Sequence, residues 1–302
     1  MMLKRKLEVK QKMNQTFTIE SSRSDKVRIP VSITVPDLKE NEKAPVVIFA
    51  HGFLGNKDEY GFYYGATIEE RGFEGFAEQL MKIGIGSIRI DQPGTGDSED
   101  DFRNYTLENC GSDLRDAYRY CMDNYPFDSD RTGVLAWSMG AKVSAELALE
   151  TAEIDPIVLL NPAGDNGNNA IYHGIDAGID YPNLEKEAMA NGEVVNTVAP
   201  ELIGSDKTFV MSKEFFIQVN ASKTGDMIYE MSKTGKHVLM IYGDEDTVIS
   251  KSTYEWLIEN AGIDYVCIPS MAHDLGLDCE RPELTNIVID VAGAYLYRYL
   301  KA

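Results

Sequence analysis

The sequence predicts an α/β fold: a mostly parallel central sheet with helices on both faces and a cap insertion after the sixth strand. Three observations carry this expectation. Solid apolar runs such as PVVIFA (45–50) and PIVLLN (156–161) suit strands buried on both faces. Segments with helical periodicity alternate with these runs, as right-handed βαβ crossovers require. From about Pro162 to Lys236 the alternation stops, in a stretch rich in Gly, Asn and Asp, and afterwards it resumes.

Length agrees with this plan. At 302 residues and 43% hydrophobic, the chain can bury a large core, as one α/β domain or a domain carrying an insertion. The division expected is a core of residues 1–161 and 237–302, with 162–236 as a cap or lid. A long segment without sheet pattern inside a compact fold is usually functional.

The elements follow in order. TFTIE and VRIPVSITV, within 16–35, alternate apolar and polar and read as an antiparallel pair at a sheet edge. PVVIFA is the first fully buried strand and ends at His51-Gly52. GFAEQLMKIG (75–84) is a short helix before the strand GSIRID, and 107–125 is a longer helix before TGVLAW. SMGAKVSAELALE (138–150) is a helix leading to PIVLLN. The insertion shows no clean strand but offers helical candidates in LEKEAMANG and SKEFFIQVNAS. HVLMIYG (237–243), a helix at 251–261, DYVCIP (264–269) and a helix at 283–300 complete the pattern.

Charge limits the partners. There are 29 basic and 49 acidic side chains, a net −20, and such a field repels phosphate backbones and polyanionic substrates. Neutral or cationic small molecules remain compatible. Cys110, Cys121, Cys267 and Cys279 lie far apart and form no CxxC pair, so reduced thiols are expected. The start, MMLKRKLEVKQKMNQ, has no apolar run long enough for a signal peptide, and no window approaches a membrane span. A soluble cytoplasmic protein without nucleic-acid or membrane partners is expected; its oligomeric state is open, a homodimer being one option.

Five segments carry chemistry. In AWSMG (136–140) a strand runs directly into Ser138 and a helix follows. A nucleophile on so sharp a turn needs small neighbours two positions away, here Ala136 and Gly140. In FAHGFLGNKDE (49–59) a buried strand ends in His-Gly and a glycine-containing loop. Such a loop can aim backbone N–H groups at a tetrahedral oxyanion, and the expected pair is the amides of Phe53 and Met139. His51 itself reads as a structural turn histidine. RIDQPGTGDS (89–98) fits neither a P-loop nor a dinucleotide fingerprint and reads as a tight loop beside the site. YGDEDTVIS (242–250) offers Asp246, with Asp244 second, as a carboxylate at a strand end. PSMAHDL (269–275) places His273 after the last strand. Of the four histidines, only His273 lies on a loop after the acid. The order Ser, Asp, His at successive strand ends completes the pattern.

These residues resemble the α/β-hydrolase superfamily from about residue 27 to 300. HGFLGNKDE, DQPGTGDS, NPAGD and GDEDTVIS followed by MAH are most similar to the bacterial cinnamoyl/feruloyl esterase group. The resemblance implies a Ser138–His273–Asp246 triad, an oxyanion hole from Phe53 and Met139, and a compact insertion over the site. It also implies hydrolysis of carboxylic esters, hydroxycinnamoyl or other aryl or short acyl esters among them, with no metal or organic cofactor. EYGFYYGATIEERGF (59–73) and the long insertion depart from the group and border the acyl pocket. Phe62, Tyr63, Tyr64, Tyr172, Tyr181, Phe215 and Phe216 either line an aromatic pocket or pack the cap on the core. An acyltransferase, a thioesterase or a peptidase would use the same triad. Dehalogenases and epoxide hydrolases need a carboxylate at position 138 and are disfavoured.

Overall fold

The computed structural model describes residues 13–58, 72–164, 180–196, 209–276 and 282–301. Its centre is an eight-stranded sheet in the order β1-β2-β4-β3-β5-β6-β9-β10. The strands are β1 (Met13–Glu20), β2 (Arg28–Val35), β3 (Ala44–Ala50), β4 (Gly86–Ile90), β5 (Phe127–Trp137), β6 (Ile154–Leu160), β9 (Val238–Gly243) and β10 (Asp264–Ile268). β1 pairs antiparallel with β2, and β2 antiparallel with β4; every other neighbour is parallel. The antiparallel pair at the sheet edge and the parallel remainder are thus as expected.

The parallel strands are continuous apolar runs because both faces are covered. Val46, Ile48 and Ala50 join one core cluster while Val47 and Phe49 join the other. Val134 and Ala136 divide from Leu135 and Trp137 in the same way, which is the period-two alternation of a pleated strand. Helices α2 (Leu107–Asn124) and α3 (Gly140–Glu150) cover the first face through Cys110, Leu114, Ala117, Cys121, Ala141 and Ala145. Helices α1 (Phe73–Lys82) and α8 (Pro282–Leu300) cover the second through Phe76, Leu80, Val288, Ala292 and Leu296. Cys110, Cys121 and Cys267 are free thiols. Among the described residues no helix is long and apolar enough to cross a membrane.

Between β6 and β9 the described residues form α4 (Tyr181–Asn191), β7 (Glu193–Asn196), β8 (Phe209–Ser212), α5 (Lys213–Ala221) and α6 (Thr224–Lys233). Two helices there match the periodic segments of the sequence. The antiparallel pair β7–β8 is not evident in the sequence, because each strand has only four residues and EVVN lacks a clear alternation. This segment is tied to the rest of the fold. Phe209 meets Phe102 with ring centroids 4.9 Å apart, Arg103 pairs with Glu193 at 2.7 Å, and Gln218 accepts from the Glu108 amide at 3.0 Å. Helix α7 (Lys251–Trp256), continued by a wider turn over Leu257–Ala261, connects β9 to β10 along the chain.

Candidate active site

Ser138 follows β5 directly and sits in the left-handed region at φ 53°. For a residue with a Cβ this conformation costs on the order of 1–3 kcal/mol, so its surroundings must enforce it. They do: Ser138 N–H donates to Leu160 O at 2.9 Å, and Ser138 O accepts from Ala163 N–H at 3.0 Å and Ala141 N–H at 3.1 Å. The expected small neighbours are explained by contact. A Cβ on Gly140 would lie 1.9 Å from Ala50 O, while Ala136 is fully buried beside Ala50 on β3. Helix α3 begins at Gly140, so its positive end lies beside the serine.

Asp246 lies in the turn after β9 and His273 in the loop after β10. His273 Nε2 is 2.9 Å from Ser138 Oγ, and His273 Nδ1 is 2.8 Å from Asp246 Oδ2. A carboxylate accepts only, so Nδ1 carries the proton and Nε2 is left to accept from the serine hydroxyl. Ser138 is 7% exposed, and the His273 and Asp246 side chains are 13% and 1% exposed. Asp246 is saturated with donors: Val248 and Ile249 N–H at 2.8 and 2.9 Å on Oδ1, and the Tyr254 hydroxyl at 2.6 Å on Oδ2. Burial pushes this carboxyl up. The His273 ring and the hydrogen bonds from His273, Tyr254 and Ile249 outweigh burial and hold it below the usual carboxylate range. Asp244, the second candidate, instead accepts from Ser270 N–H and ties β9 to the histidine loop.

Three residues that sequence reasoning overlooked brace this chain of hydrogen bonds. Asn161, at the end of β6 with φ 40°, is fully buried. Its Nδ2 donates to Ala272 O at 3.2 Å and His273 O at 2.9 Å, and its Oδ1 accepts from Gly243 N–H at 3.0 Å. Trp137 donates through Nε1 to His273 O at 3.1 Å and lays its ring 5.0 Å from the imidazole. Tyr254 is the third, on Asp246. The available signals were position alone: Asn161 ends a strand, and Trp137 precedes the serine.

Phe53 and Met139, the expected oxyanion donors, flank Ser138 on the loop after β3 and at the start of α3. Among the described residues neither amide is paired with an acceptor. The loop bearing Phe53 is a turn closed by Gly55 N–H on Gly52 O at 3.1 Å, with Leu54 at φ 59°. Its far end is fixed by charge. Buried Asp91 accepts from the Lys57 amide at 2.7 Å and the Asp97 amide at 2.9 Å, and the buried Lys57 ammonium lies 3.1 Å from Asp91 and 2.6 Å from Asp97. Burial alone would lower the Lys57 ammonium; Asp91, Asp97 and Asp58 around it hold it above its ordinary value. The 89–98 segment is therefore a structural loop that clamps the 51–58 loop.

His51 is buried against that loop, as a turn histidine. His237 is on the surface, paired with Asp155 and stacked on Tyr299. Among the aromatic candidates, Phe215 packs 5.3 Å from Phe53 and Tyr181 6.0 Å from it. Phe216 lies behind Phe215 at 5.1 Å, and both phenylalanines are fully buried. Phe62, Tyr63, Tyr64, Tyr172, His173 and Cys279 fall outside the described residues.

Residues 47–286 match the Alpha/beta hydrolase family, and the chain belongs to that family. Among curated proteins none matches the sequence significantly. Similar solved structures include Est1E from Butyrivibrio proteoclasticus with ferulic acid bound, at TM-score 0.68 and 19% identity over 94% of this chain and 100% of that one. The esterase domain of a Rhodothermus marinus protein gives 0.64 and 17% over 95% and 99%. An esterase from Pyrococcus furiosus gives 0.62 and 18% over 95% and 92%. At such identities the likeness is one of fold.

Proposed function

We propose that this hydrolase cleaves carboxylic esters through a serine acyl-enzyme. His273 Nε2 takes the proton of Ser138 Oγ as the oxygen attacks the ester carbonyl. The tetrahedral oxyanion is held by the Phe53 and Met139 amides, and His273 returns its proton to the departing alkoxide. Water, deprotonated by the same imidazole, then releases the acid. Asp246 stays ionised and keeps the proton on Nδ1. The observation that carries this reading is the unbroken pair of hydrogen bonds, 2.9 and 2.8 Å, from Ser138 through His273 to Asp246.

The acyl group we favour is aromatic or short, hydroxycinnamoyl esters included. Support comes from the resemblance in the sequence, from the rings of Phe53, Tyr181 and Phe215 gathered beside the proposed oxyanion donors, and from fold likeness to an esterase that holds ferulic acid. The segment 162–236 serves as the cap over this pocket. A neutral ester also suits an acidic, soluble protein of the cytoplasm. Ser138→Ala should lower turnover by a factor on the order of 10⁶ with the fold retained. A panel of aryl and alkyl esters, with added alcohol acceptors, separates hydrolysis from acyl transfer. Near-full activity in the alanine variant would end the proposal.

A further inference from the structure

The carbonyl of Gly52 accepts from three donors. His51 Nδ1 lies 2.8 Å from it, Gly55 N–H 3.1 Å and the Tyr105 hydroxyl 3.4 Å. This carbonyl and the Phe53 N–H are opposite ends of one planar peptide unit, so fixing the oxygen fixes the direction of the N–H. The peptide borders the nucleophile closely: a Cβ on Gly52 would lie 3.1 Å from Ser138 Cβ and 2.5 Å from the Trp137 ring. We propose that His51 and Tyr105 are positioning residues of the oxyanion site, acting through the Gly52–Phe53 peptide. The proposal rests on reading Ser138 as nucleophile and the Phe53 amide as a donor.

The partners of His51 settle its tautomer. Gly52 O can only accept, so Nδ1 carries the proton, and Gln92 N–H donates to Nε2 at 3.2 Å. Gln92 also donates through Nε2 to His51 O at 3.0 Å, so the loop after β4 holds both the ring and the backbone of His51. Thr95 Oγ1 stands 3.4 Å from His51 Nε2. A relay results: Gln92 N–H to imidazole, imidazole N–H to Gly52 O, and Phe53 N–H outward to the oxyanion. Each donor on the carbonyl polarises the amide and strengthens the N–H at its other end. Burial, which dominates, holds the imidazole at about 4, well under its ordinary range, and the nearby Lys57 charge adds to this while the Gly52 carbonyl opposes it. The ring is therefore neutral around pH 7, in the form this relay needs.

The test compares three variants. His51→Leu removes both ends of the relay, His51→Asn keeps a donor at the position of Nδ1, and Tyr105→Phe removes only a hydroxyl. Removing a whole oxyanion donor costs on the order of 10²–10³ in rate, so misaiming one should cost less. kcat should fall about tenfold to a hundredfold in His51→Leu and about threefold in Tyr105→Phe, with KM little changed and His51→Asn largely rescued. An aryl trifluoromethyl ketone, which forms a hemiketal on a reactive serine, gives the second readout by fluorine NMR. Its oxyanion should titrate about one pH unit higher in His51→Leu, in step with a tenfold loss of stabilisation. Unchanged hemiketal titration in His51→Leu and Tyr105→Phe overturns the inference, even if kcat falls, because a merely structural role would leave it unmoved. Should His51→Leu fail to fold, the near-isosteric Tyr105→Phe decides alone. Failure of the parent reading looks different: Ser138→Ala would stay active and the wild type would form no hemiketal.

Discussion

Replacing Asp246 with Asn removes a charge while keeping the shape of the side chain. Oδ1 would still accept from the Val248 and Ile249 amides, so the turn has no reason to open. On the other side, an amide NH₂ would replace the oxygen that now faces His273 Nδ1 at 2.8 Å and the Tyr254 hydroxyl at 2.6 Å. The hydroxyl can rotate and accept. The imidazole can accept only by moving its proton to Nε2, and it then presents an N–H to Ser138 where a base is needed. A triad with its histidine in the wrong tautomer loses about 10⁴ in kcat, with little change in KM. Hydrolysis of p-nitrophenyl acetate, normalised to the fraction of folded protein, measures this. A second readout is stability. A carboxylate held below its usual range stabilises the fold above about pH 4, and that contribution disappears as pH falls through its lowered value. Asp246→Asn should therefore show a weaker acid dependence of its unfolding free energy. If Asp246→Asn stays within tenfold of wild type while Asp244→Asn is inactive, the acid has been misassigned and the reasoning fails.

Further outcomes can be stated. Asn161→Ala leaves the buried Gly243 N–H without an acceptor and the His273 carbonyl held by Trp137 alone; it should cost about 1–3 kcal/mol in urea unfolding and lower kcat more than it raises KM. Lys57→Met removes the ammonium beside the buried carboxylate of Asp91, which keeps only its amide donors, and should destabilise the protein by about 3–5 kcal/mol, read by thermal or denaturant melts. Gly140→Ala drives a methyl to 1.9 Å from Ala50 O, so soluble, active protein from this variant would contradict the tight turn. Asp113 is pushed up to about 6, by burial first and by Asp100 and Asp116, against Ser21 and Arg23. The folded chain thus favours its protonated form, and its contribution to stability declines as pH rises from about 4 to 6. Asp113→Asn should gain on the wild type across that window, and parallel pH–stability curves would refute this.

β3 and β6 were legible in the sequence because burial on both faces writes a nearly unbroken apolar run, bounded by turn residues. Ser138, Asp246 and His273 were legible for a different reason: each is a side chain able to carry nucleophile or acid–base chemistry placed where a strand stops, and His273 is one of only four histidines. Their bracing was not. Asn161 acts through Gly243, Ala272 and His273, 82 to 112 residues away, and Tyr254 through Asp246, 8 residues away, and nothing local marks those contacts. Asp244 and Asp246 stand two residues apart in an acidic turn, and only its folding decides which faces the imidazole. The pair β7–β8 was hidden by brevity, since four residues give a periodicity too little length to declare itself.

The two groups that hold the His273 carbonyl, Trp137 and Asn161, come from the ends of β5 and β6, and neither belongs to α4, α5, α6 or the β7–β8 pair. The groups that brace His273 and the described residues between β6 and β9 thus come from separate stretches of chain, which meet through rings such as Phe102–Phe209 and Phe53–Phe215 and through the Arg103–Glu193 pair. Under the proposed function, a lineage carrying this scaffold can exchange the stretch between β6 and β9 and try new acyl groups, while the contacts that hold His273 keep their dimensions.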